Sequence, residues 1–413
     1  MRDNSVDALV IGAGPAGLAA ATRLRQLGVA RVVVLEREPT AGGVPRHCNH
    51  ASFGLKEFGR PMSGPRYAAA ILRRADQAAV EIRPETTVLE IAHGSTPHVV
   101  STSPFGVQHW ESGAVILATG CRERPRPARL IPGTRSGGVF TTGELQQFTY
   151  LHQVKVGSRA LVVGAEHVSF SAVMTLRDAG IECAAVITPF ASHQSFPPLR
   201  LWATSLGSVP LLTGHRVVAI EGHGRVESVL VDAPRGQRRI ACDTVILTGE
   251  WVAEGGLALQ AGLSSDTRNG GRPEVSAGGA TAAEGVFAAG SVVHPGESAA
   301  RANRAGVSVA EAVADHLGHR RPSPSTDLRL GWSSPIRWVS PQRARRSEPV
   351  PLHLRVDQWM DRPTVVFQTD GHVVDTVRVR RLIPGRTYTF DGSWMGRVEE
   401  SAADVQISIG VDR

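Results

Sequence analysis

The sequence predicts an α/β fold with two Rossmann-like dinucleotide-binding modules and a small C-terminal all-β module. Three observations predict it. Near the N-terminus, a glycine-rich turn at residues 12–17 follows a buried strand and opens a helix. Residues 159–187 repeat the order strand, turn, helix, strand. Beyond residue 349 the pattern changes to short strands of alternating polarity.

The composition is that of a folded chain with several cores. A length of 413 residues predicts two or three domains, and 42% hydrophobic with 20% charged residues is ordinary for globular proteins. The net charge of +7 comes from arginines scattered among acids, whereas nucleic-acid binding needs a clustered basic face, so no nucleic-acid partner is expected. The early charges Arg2 and Asp3 do not fit a signal peptide, and no apolar run could span a bilayer. We therefore expect a cytoplasmic protein without direct membrane insertion.

The cysteines give no sign of a metal centre. They lie far apart in the sequence, at Cys48, Cys121, Cys183 and Cys242. No C-x-x-C pair is present, which disfavours an iron–sulfur or zinc site built on paired cysteines. His47, Cys48 and His50 could be metal ligands, but no fourth ligand follows nearby. No metal site is expected.

The first glycine-rich turn joins a strand at residues 8–11 to a helix predicted over residues 18–27. It reads Gly12-Ala-Gly14-Pro-Ala-Gly17 and fits G-x-G-x-x-G. The first glycine permits a tight turn, the second lets a pyrophosphate approach, and the third lets the helix pack closely on the strand. Glu36 ends the next strand, where an acid can bind ribose hydroxyls. This context predicts dinucleotide binding; the alternative is a glycine-rich turn in an unrelated α/β protein.

The second glycine-rich turn, Gly164–Ser169, departs from that pattern. Glu166 stands where a glycine would admit a pyrophosphate, and it adds bulk and negative charge there. Ser169 replaces the glycine that lets the helix pack. The next strand ends at Thr188, with no acid for a ribose and no arginine for a 2′-phosphate. The sequence predicts that the fold is kept and that NAD(P) is not bound; a nucleotide bound in another pose is the alternative.

Two further segments carry a family resemblance. Ala118-Thr-Gly120 follows a buried strand, and Gly285-Val-Phe-Ala-Ala-Gly290 precedes a helix. With these, the chain resembles the FAD-dependent pyridine nucleotide-disulfide oxidoreductase-like superfamily, whose fold is that of glutathione reductase. The resemblance implies non-covalent FAD, with the N-terminus of the helix after Gly290 directed at the flavin pyrimidine edge. The family usually has Asp after this glycine to hold the ribityl chain, whereas this chain has Ser291.

The domain boundaries follow from the order of these elements. We predict an FAD-binding domain at 1–135 and 270–317, an inserted second Rossmann domain at 136–269, a linker at 318–348 and a β domain at 349–413. The linker is predicted from its Pro, Ser and Arg content. Asp370-Gly371 predicts a hairpin turn within the β domain. The tryptophans of the C-terminal part, Trp338, Trp359 and Trp394, either fill a small core or belong to an interface.

A closer resemblance comes from residues 42–55, which read Gly-Gly-Val-Pro-Arg-His-Cys-Asn-His followed by Phe53-Gly-Leu55. It is to flavin subunits of heteromeric dehydrogenases of the opine oxidase, hydrogen cyanide synthase and dye-linked proline and hydroxyproline dehydrogenase types. The accessory subunit of anaerobic glycerol-3-phosphate dehydrogenase is also similar. The resemblance implies that the partner is a second dehydrogenase subunit and that the substrate is a small molecule: an amino acid, an opine-like imino acid or a hydroxy acid. A stand-alone NAD(P)H-dependent reductase and a non-catalytic, FAD-stabilised structural subunit remain the alternatives.

The resemblance and the motifs together give a set of expected site residues. The expected contacts of FAD are Gly12, Gly14, Pro15, Ala16, Gly17, Glu36, Arg37, Gly43, Val44, Val88, Thr119, Gly120, Gly290 and Ser291. The resemblance also places the 42–55 segment beside the flavin ring. His50 and Cys48 in that segment are the candidates for a catalytic role.

Overall fold

A computed structural model gives the structure of residues 4–94, 96–195, 209–318, 327–345 and 349–411. Its helices are α1 (Pro15–Gln26), α2 (Leu55–Phe58), α3 (Gly64–Gln77), α4 (Thr142–Gln146), α5 (His167–Asp178), α6 (Gly256–Gln260) and α7 (Ala299–Leu317). Short 3₁₀ turns occupy Val44–His47, Arg126–Arg129, Thr267–Asn269, Gly290–Val292 and Ser393–Arg397, and a π-helical turn follows α4 at Gln147–Leu151. Parallel sheets flanked by these helices confirm the predicted α/β fold.

The first sheet has seven strands and belongs to the first module. They are β1 (Ser5–Ile11), β2 (Val32–Leu35), β3 (Glu81–Arg83), β4 (Thr87–Ala92), β5 (His98–Ser103), β6 (Gly106–Leu117) and β19 (Val286–Ala288). Their order is β3-β2-β1-β6-β5-β4, with β19 also paired to β6. The pairs β1–β2, β1–β6 and β6–β19 are parallel, so the glycine-rich turn and the segments after β2, β6 and β19 share one edge of the sheet.

Helix α1 packs closely against α7 because glycines leave room for it. A Cβ at Gly306 of α7 would lie 2.1 Å from the carbonyl oxygen of Ala16, and one at Gly290 would lie 2.5 Å from the Ala16 Cβ. The helix begins at Pro15, three residues earlier than predicted, because a proline with its fixed φ suits the first helical position. The close packing fixes the N-terminus of α1 next to the segment that precedes α7.

The second module holds a five-stranded parallel sheet. Its strands are β8 (Val139–Thr141), β9 (Arg159–Val163), β10 (Glu182–Thr188), β11 (Leu211–Thr213) and β15 (Thr244–Leu247). They lie in the order β11-β10-β9-β15-β8. An antiparallel meander joins β11 to β15: β12 (Arg216–Glu221), β13 (Ser228–Ala233) and β14 (Gly236–Ala241).

The chain enters and leaves the second module through a two-stranded ribbon. Strand β7 (Cys121–Glu123) pairs antiparallel with β16 (Trp251–Ala253). A second short ribbon, β17 (Ser265–Asp266) with β18 (Arg272–Pro273), follows α6. The β7–β16 ribbon brings the two connections between the modules side by side.

Strands also fill the C-terminal β region, by which we mean residues 327–345 and 349–411. They are β20 (Asp327–Trp332), β21 (Ile336–Ser340), β22 (Arg343–Arg345), β23 (Leu352–Val356), β24 (Met360–Asp361), β25 (Pro363–Thr369), β26 (His372–Arg378), β27 (Arg381–Leu382), β28 (Thr387–Phe390) and β29 (Asp404–Val411). They form a five-stranded sheet β22-β20-β29-β25-β26, a three-stranded sheet β21-β23-β28 and the pair β24–β27. Asp370 and Gly371, both with positive φ, make the predicted hairpin turn between β25 and β26.

The linker prediction for residues 318–348 is wrong over residues 327–345. Strand β20 pairs with β29 and strand β21 pairs with β23, so both belong to the sheets of the C-terminal β region. Residues 319–326 and 346–348 of the predicted linker lie outside the described residues. The arginine-rich composition is misleading because alternate side chains of short strands, such as Leu328, Leu330 and Ala344, are buried between those arginines.

The tryptophans of this region favour the core alternative. Trp338 and Trp394 are buried within the chain, with exposures of 1% and 2%, and the Trp394 ring stacks on Phe367 at 4.8 Å. Trp359 is half-buried, and the guanidinium of Arg381 lies over its ring. An interface role for Trp338 and Trp394 is therefore excluded, since their surfaces are already buried within the chain.

Candidate functional site

The carboxyl edge of the first sheet brings most of the predicted site residues together. The amide of Gly12 donates to Leu35 O at 2.8 Å, and that of Ala118 donates to Ile11 O at 2.9 Å. The amide of Ala289 donates to Leu117 O at 2.9 Å. The glycine-rich turn, the end of β2, the Thr119-Gly120 segment and Gly290 are thus neighbours on this edge.

Each glycine of the first turn has a separate steric reason. Gly12 has a φ of +104°, and a Cβ there would lie 2.5 Å from Ala118 O. A Cβ on Gly17 would lie 1.9 Å from Gly12 O, so only glycine lets α1 approach the turn. A Cβ on Gly14 would meet nothing within 4 Å. The backbone of Gly14 therefore borders open space at the N-terminus of α1, which is the arrangement that a dinucleotide pyrophosphate requires.

The carboxylate of Glu36 is held by the backbone beside this turn. Its Oε2 accepts a hydrogen bond from Ala13 N at 2.9 Å, and its Oε1 accepts one from Glu38 N at 2.9 Å. Burial raises the pKa of this carboxyl, while the Ala13 amide opposes the shift. The side chain is fixed at the end of β2 as an acceptor, which suits ribose hydroxyls.

The other predicted contacts surround Glu36 and Gly14 to different degrees. Gly43 lies against the glycine-rich turn, since its Cβ would be 2.9 Å from the Gly14 Cα. Val88 is buried on β4. Just before this strand begins, the amide of Thr86 donates to Glu36 O. Arg37 is exposed just beyond Glu36. Gly43 thus lies beside the open space at Gly14, and Val88 and Arg37 lie near Glu36.

Three further predicted contacts, Thr119, Gly120 and Ser291, follow strands β6 and β19 on the other side of β1 from β2. Thr119 is next to Gly12 and donates from its hydroxyl to Glu254 O at 2.7 Å, and Gly120 has a φ of +81°. Ser291 follows Gly290 and hydrogen-bonds the thiol of Cys121. Ser291 thus has a hydrogen-bond partner within the chain.

The two catalytic candidates occupy different surroundings. Cys48 is buried and donates to Gln146 Oε1 at 3.3 Å, and burial raises the pKa of its thiol to about 12. The thiol is therefore protonated at neutral pH and bridges the 44–48 turn to α4. His50 lies 3.0 Å from the Ser52 hydroxyl and stacks on the Phe53 ring at 5.1 Å, and burial lowers its pKa. His50 is accordingly a neutral imidazole, able to accept a proton.

The turn of the second module carries its own anion. Helix α5 begins after Glu166, whose carboxylate caps the helix by accepting from the Ser169 amide. The Ser169 hydroxyl donates to Glu166 Oε2 at 2.7 Å, and Thr248 Oγ1 lies 3.0 Å from the same oxygen. The Glu166 N–H in turn donates to the Ser169 hydroxyl at 3.1 Å. Glu166 therefore lies where the first module has open space beside Gly14.

Two further segments cover this edge of the second sheet. The amide of Gln194 donates to Ala165 O at 3.0 Å, so the segment after β10 lies on the turn. Arg386 of the C-terminal β region donates to Gln194 O at 2.9 Å and to Ser195 O at 3.0 Å. A Cβ on the neighbouring Gly385 would lie 3.7 Å from Glu166 Cγ. The C-terminal β region therefore lies directly over Glu166.

Sequence reasoning missed Glu123, a buried acid between the modules. Its Oε1 accepts from Gly249 N at 3.0 Å and its Oε2 accepts from Gly143 N at 2.9 Å. Burial raises the pKa of this carboxyl to about 7. In the sequence it stands between Arg122 and Arg124, where an acid is typical of a surface ion pair, so no local signal marks it as buried.

No metal centre accompanies these features among the residues that the structure describes, since no three His, Cys, Asp or Glu side chains are grouped to hold an ion. Within the same ranges, none of the helices combines the length and the apolar character needed to cross a bilayer.

Known proteins match most of the chain in sequence. The chain is 30% identical over 314 residues to an opine oxidase subunit from Agrobacterium tumefaciens (strain Ach5), a match that covers 69% of this chain and 60% of that protein. It is 26% identical over 301 residues to hydrogen cyanide synthase subunit HcnB of Pseudomonas protegens, covering 66% of this chain and 62% of that protein. The chain thus spans less than two thirds of the length of these curated relatives.

Thioredoxin reductase from Lactococcus lactis has the same fold over 76% of this chain and 99% of its own, with a TM-score of 0.63 at 18% identity. The family model of the pyridine nucleotide-disulphide oxidoreductases matches residues 6–312. That range contains both Rossmann-like modules and the whole open edge of the first sheet, where Gly14 and Glu36 fit a dinucleotide. The chain therefore belongs to the pyridine nucleotide-disulphide oxidoreductase family and is an FAD-dependent oxidoreductase.

Proposed function

We propose that this chain is the flavin subunit of a multi-subunit dehydrogenase that oxidises an amino acid, an opine-like imino acid or a hydroxy acid. Support for a partner comes from the relatives, whose names describe subunits of opine oxidase and hydrogen cyanide synthase. The observation that carries the proposal is the Glu166 carboxylate in the second module. It removes reduced nicotinamide as the electron donor, so electrons must come from another substrate.

The first module is the FAD site of this proposal. When bound, FAD supplies a two-electron redox centre. The backbone at Gly14 and the N-terminus of α1 would face the pyrophosphate, and Glu36 would accept from ribose hydroxyls. Gly290 and Ser291 would lie along the ribityl chain, and the N-terminus of α7 would face the flavin. The partial positive charge of that helix end stabilises negative charge on the flavin.

The second module opposes NAD(P) binding in three ways. The Glu166 carboxylate repels a pyrophosphate and already uses the capping position of α5. Thr188 at the end of β10 offers no carboxylate to a ribose and no cation to a 2′-phosphate. Gly385 and Arg386 cover the same edge from outside. Removal of one obstacle leaves the other two.

Of the two catalytic candidates, the proposal assigns proton transfer to His50. The buried Cys48 thiol is committed to Gln146 and is protonated at neutral pH. The His50 imidazole is neutral, and one of its ring nitrogens lies within hydrogen-bond distance of the Ser52 hydroxyl. Within this proposal a second subunit shares the reaction with the flavin.

Anaerobic mixing of the yellow holoprotein, alone and as a complex from its native host, tests the proposal. Opines, amino acids, hydroxy acids, NADH and NADPH are added separately while the oxidised flavin absorbance is followed. We expect bleaching by one of the first three classes and none by either nucleotide. Rapid bleaching by NADH or NADPH would favour the stand-alone reductase. A flavin that no donor reduces, even in the complex, would favour the FAD-stabilised structural subunit.

A further inference from the structure

The segment between β19 and α7, residues 289–298, has two different neighbours. On one side it carries Gly290 and Ser291 and leads into the N-terminus of α7, where the proposed function places the flavin. On the other side it touches the C-terminal β region. We call this segment the β19–α7 loop.

Arg355 of β23 makes the densest set of contacts with this loop. Its guanidinium donates to the carbonyl oxygens of Pro295 and Gly296, the second at 3.4 Å, and lies 3.7 Å from the Glu297 carboxylate. The Arg355 and Glu297 side chains are only 6% and 9% exposed. The same guanidinium also donates to the Thr387 hydroxyl at 2.9 Å. The buried Arg355 guanidinium therefore connects three consecutive loop residues, 295–297, to strands β23 and β28 of the C-terminal β region.

The residues that precede these in the loop are held from the same side. A ring nitrogen of His294 lies 2.8 Å from the Ser340 hydroxyl, and its ring lies 5.7 Å from that of Trp338. Arg272 of β18 donates to Val293 O at 3.2 Å and to Val339 O at 3.1 Å, and so joins the loop to β21. Every loop residue from 293 to 297 thus contacts the C-terminal β region directly or through one arginine.

The loop also has little freedom on its opposite side. Gly296 has a φ of +76°, and a Cβ there would lie 2.2 Å from the Trp251 ring. Its amide donates to the Cys121 thiol at 3.3 Å, and that thiol is hydrogen-bonded by Ser291. Movement of Gly296 therefore shifts a contact that reaches Ser291, next to the proposed ribityl position.

We propose that the C-terminal β region forms part of the flavin site, and that Arg355 is a positioning residue that holds the β19–α7 loop in the shape that binds FAD. The inference rests on the proposed flavin site. In this proposal Arg355 acts through the Pro295 and Gly296 carbonyls and through Glu297. A planar fork suits this task because it reaches several acceptors at fixed angles.

The test compares two arginines of the same region. Arg355→Met removes the fork from the loop, whereas the control Arg386→Met removes a fork that donates to Gln194 O and Ser195 O of the second module. The dissociation constant of FAD is measured by titrating each apoprotein and following quenching of flavin fluorescence. Visible circular dichroism of the bound flavin and the Tm of each apoprotein are measured in parallel.

We expect Arg355→Met to weaken FAD binding by about tenfold or more, as for lost hydrogen bonds to a charged group, and to change the flavin dichroism. Arg386→Met should change the FAD dissociation constant less than about twofold. Arg355→Lys keeps the charge beside Glu297 but reaches fewer acceptors, so its affinity should lie between wild type and Arg355→Met. Glu297 also pairs with Arg301 at 3.4 Å, so its charge retains a partner in Arg355→Met.

If Arg355→Met does not fold, the double variant Arg355→Met with Glu297→Gln removes both charges and is compared with Glu297→Gln alone. Equal FAD affinity and equal dichroism in the Arg355 and Arg386 variants would overturn the inference. A wild-type chain that binds no FAD would instead overturn the proposed flavin site. Weakened binding in the Arg355 variants alone supports both.

Discussion

The two Rossmann-like modules differ most where each first helix begins. In the first module, Gly14 borders open space at the N-terminus of α1. In the second, the corresponding turn puts Glu166 at the N-terminus of α5, with its carboxylate bound to Ser169. The N-terminus of any helix has N–H groups without partners inside the helix and a partial positive charge, and both favour an anion.

The difference shows two solutions to one electrostatic requirement. The first module leaves the anion to a ligand, and its glycines keep the backbone accessible. The second module supplies the anion from its own chain, and the surrounding side chains have adapted to it. A Cβ on Gly249, whose φ is +66°, would lie 2.0 Å from Glu166 Oε1, so glycine at this position leaves room for the carboxylate. The second module thus has internal hydrogen bonds at the position where the first module has open space.

The largest expected effect comes from making the first module like the second. Gly14→Glu places a carboxylate at the start of α1, where it occupies and repels the pyrophosphate. We expect FAD affinity to fall by about a hundredfold or more, with colourless protein after purification. Flavin absorbance and titration of the apoprotein measure this. Gly94→Glu, in an exposed turn where a Cβ meets nothing within 4 Å, is the control and should purify yellow. Normal FAD content in Gly14→Glu would show that the pyrophosphate lies elsewhere.

The next effect concerns the junction of the two modules and depends on pH. Glu123 lies on β7, where the chain leaves the first module, and accepts hydrogen bonds from the amides of Gly143 and Gly249 in the second module. Burial raises its pKa to about 7, above the ordinary 4.5 of an unfolded glutamate. The folded chain therefore binds more protons than the unfolded chain between these values, and its free energy of unfolding falls as pH rises through them.

Glu123→Gln removes this titration and isolates its contribution. At about 1.4 kcal/mol per pKa unit, the wild-type chain should lose on the order of 3 kcal/mol relative to the variant between pH 4.5 and 7. Urea unfolding of both chains across this range measures the difference. Parallel curves for the two chains would mean that Glu123 titrates alike in the folded and unfolded states.

A smaller effect is expected when the internal anion of the second module is removed. Glu166→Ala loses the cap of α5 and the hydrogen bond from Ser169, at a cost of about 1–2 kcal/mol in the free energy of unfolding. Glu144→Ala is the control, since Glu144 belongs to an exposed capping box at α4 and should cost less. NADH should still fail to reduce the flavin of Glu166→Ala, because Ser169, Thr188 and the cover by Arg386 remain. Rapid reduction would show that Glu166 alone closes the site.

The sequence predicts the first module well because its signals are local. The glycines of the first turn and the acid at Glu36 lie within one strand–helix–strand unit, so spacing along the chain is enough to place them. The departure at Glu166 is also visible, since a single residue stands in a known pattern. What spacing cannot show is that its carboxylate is bound by Ser169 and covered by Gly385.

Contacts between distant segments account for the rest. Glu123 looks like a surface acid, and its burial depends on amides 20 and 126 residues away. The strands at 327–345 have the composition of a linker, and their partners, β29 and β23, lie far along the chain. Arg355 belongs to no motif, since its acceptors are backbone carbonyls 59 and 60 residues before it. Long-range pairing of this kind has no periodic signature in one sequence.

The smallest expected effect concerns the end of the second strand in each module, where an acid can bind a ribose. The first module has Glu36 there and the second has Thr188. Glu36→Gln keeps the shape but leaves one oxygen for the amides of Ala13 and Glu38, and an N–H₂ group that opposes one of them. We expect FAD affinity to fall by about five- to tenfold, the equivalent of roughly one hydrogen bond. Glu81→Gln, which changes only a surface pair with Arg83, is the control.

The pH dependence of this effect tests whether the charge of the Glu36 carboxylate contributes to FAD binding. Burial raises the pKa of Glu36, so the wild-type carboxylate becomes protonated as pH falls and then resembles the amide of Glu36→Gln. The ratio of the two FAD dissociation constants should therefore be largest at high pH and should decrease toward one as pH falls. If the ratio is independent of pH, the charge of Glu36 does not contribute to FAD binding. The first module would then hold FAD by its helix end alone. The difference between Glu36 and Thr188 would then not explain why the two modules differ in nucleotide binding.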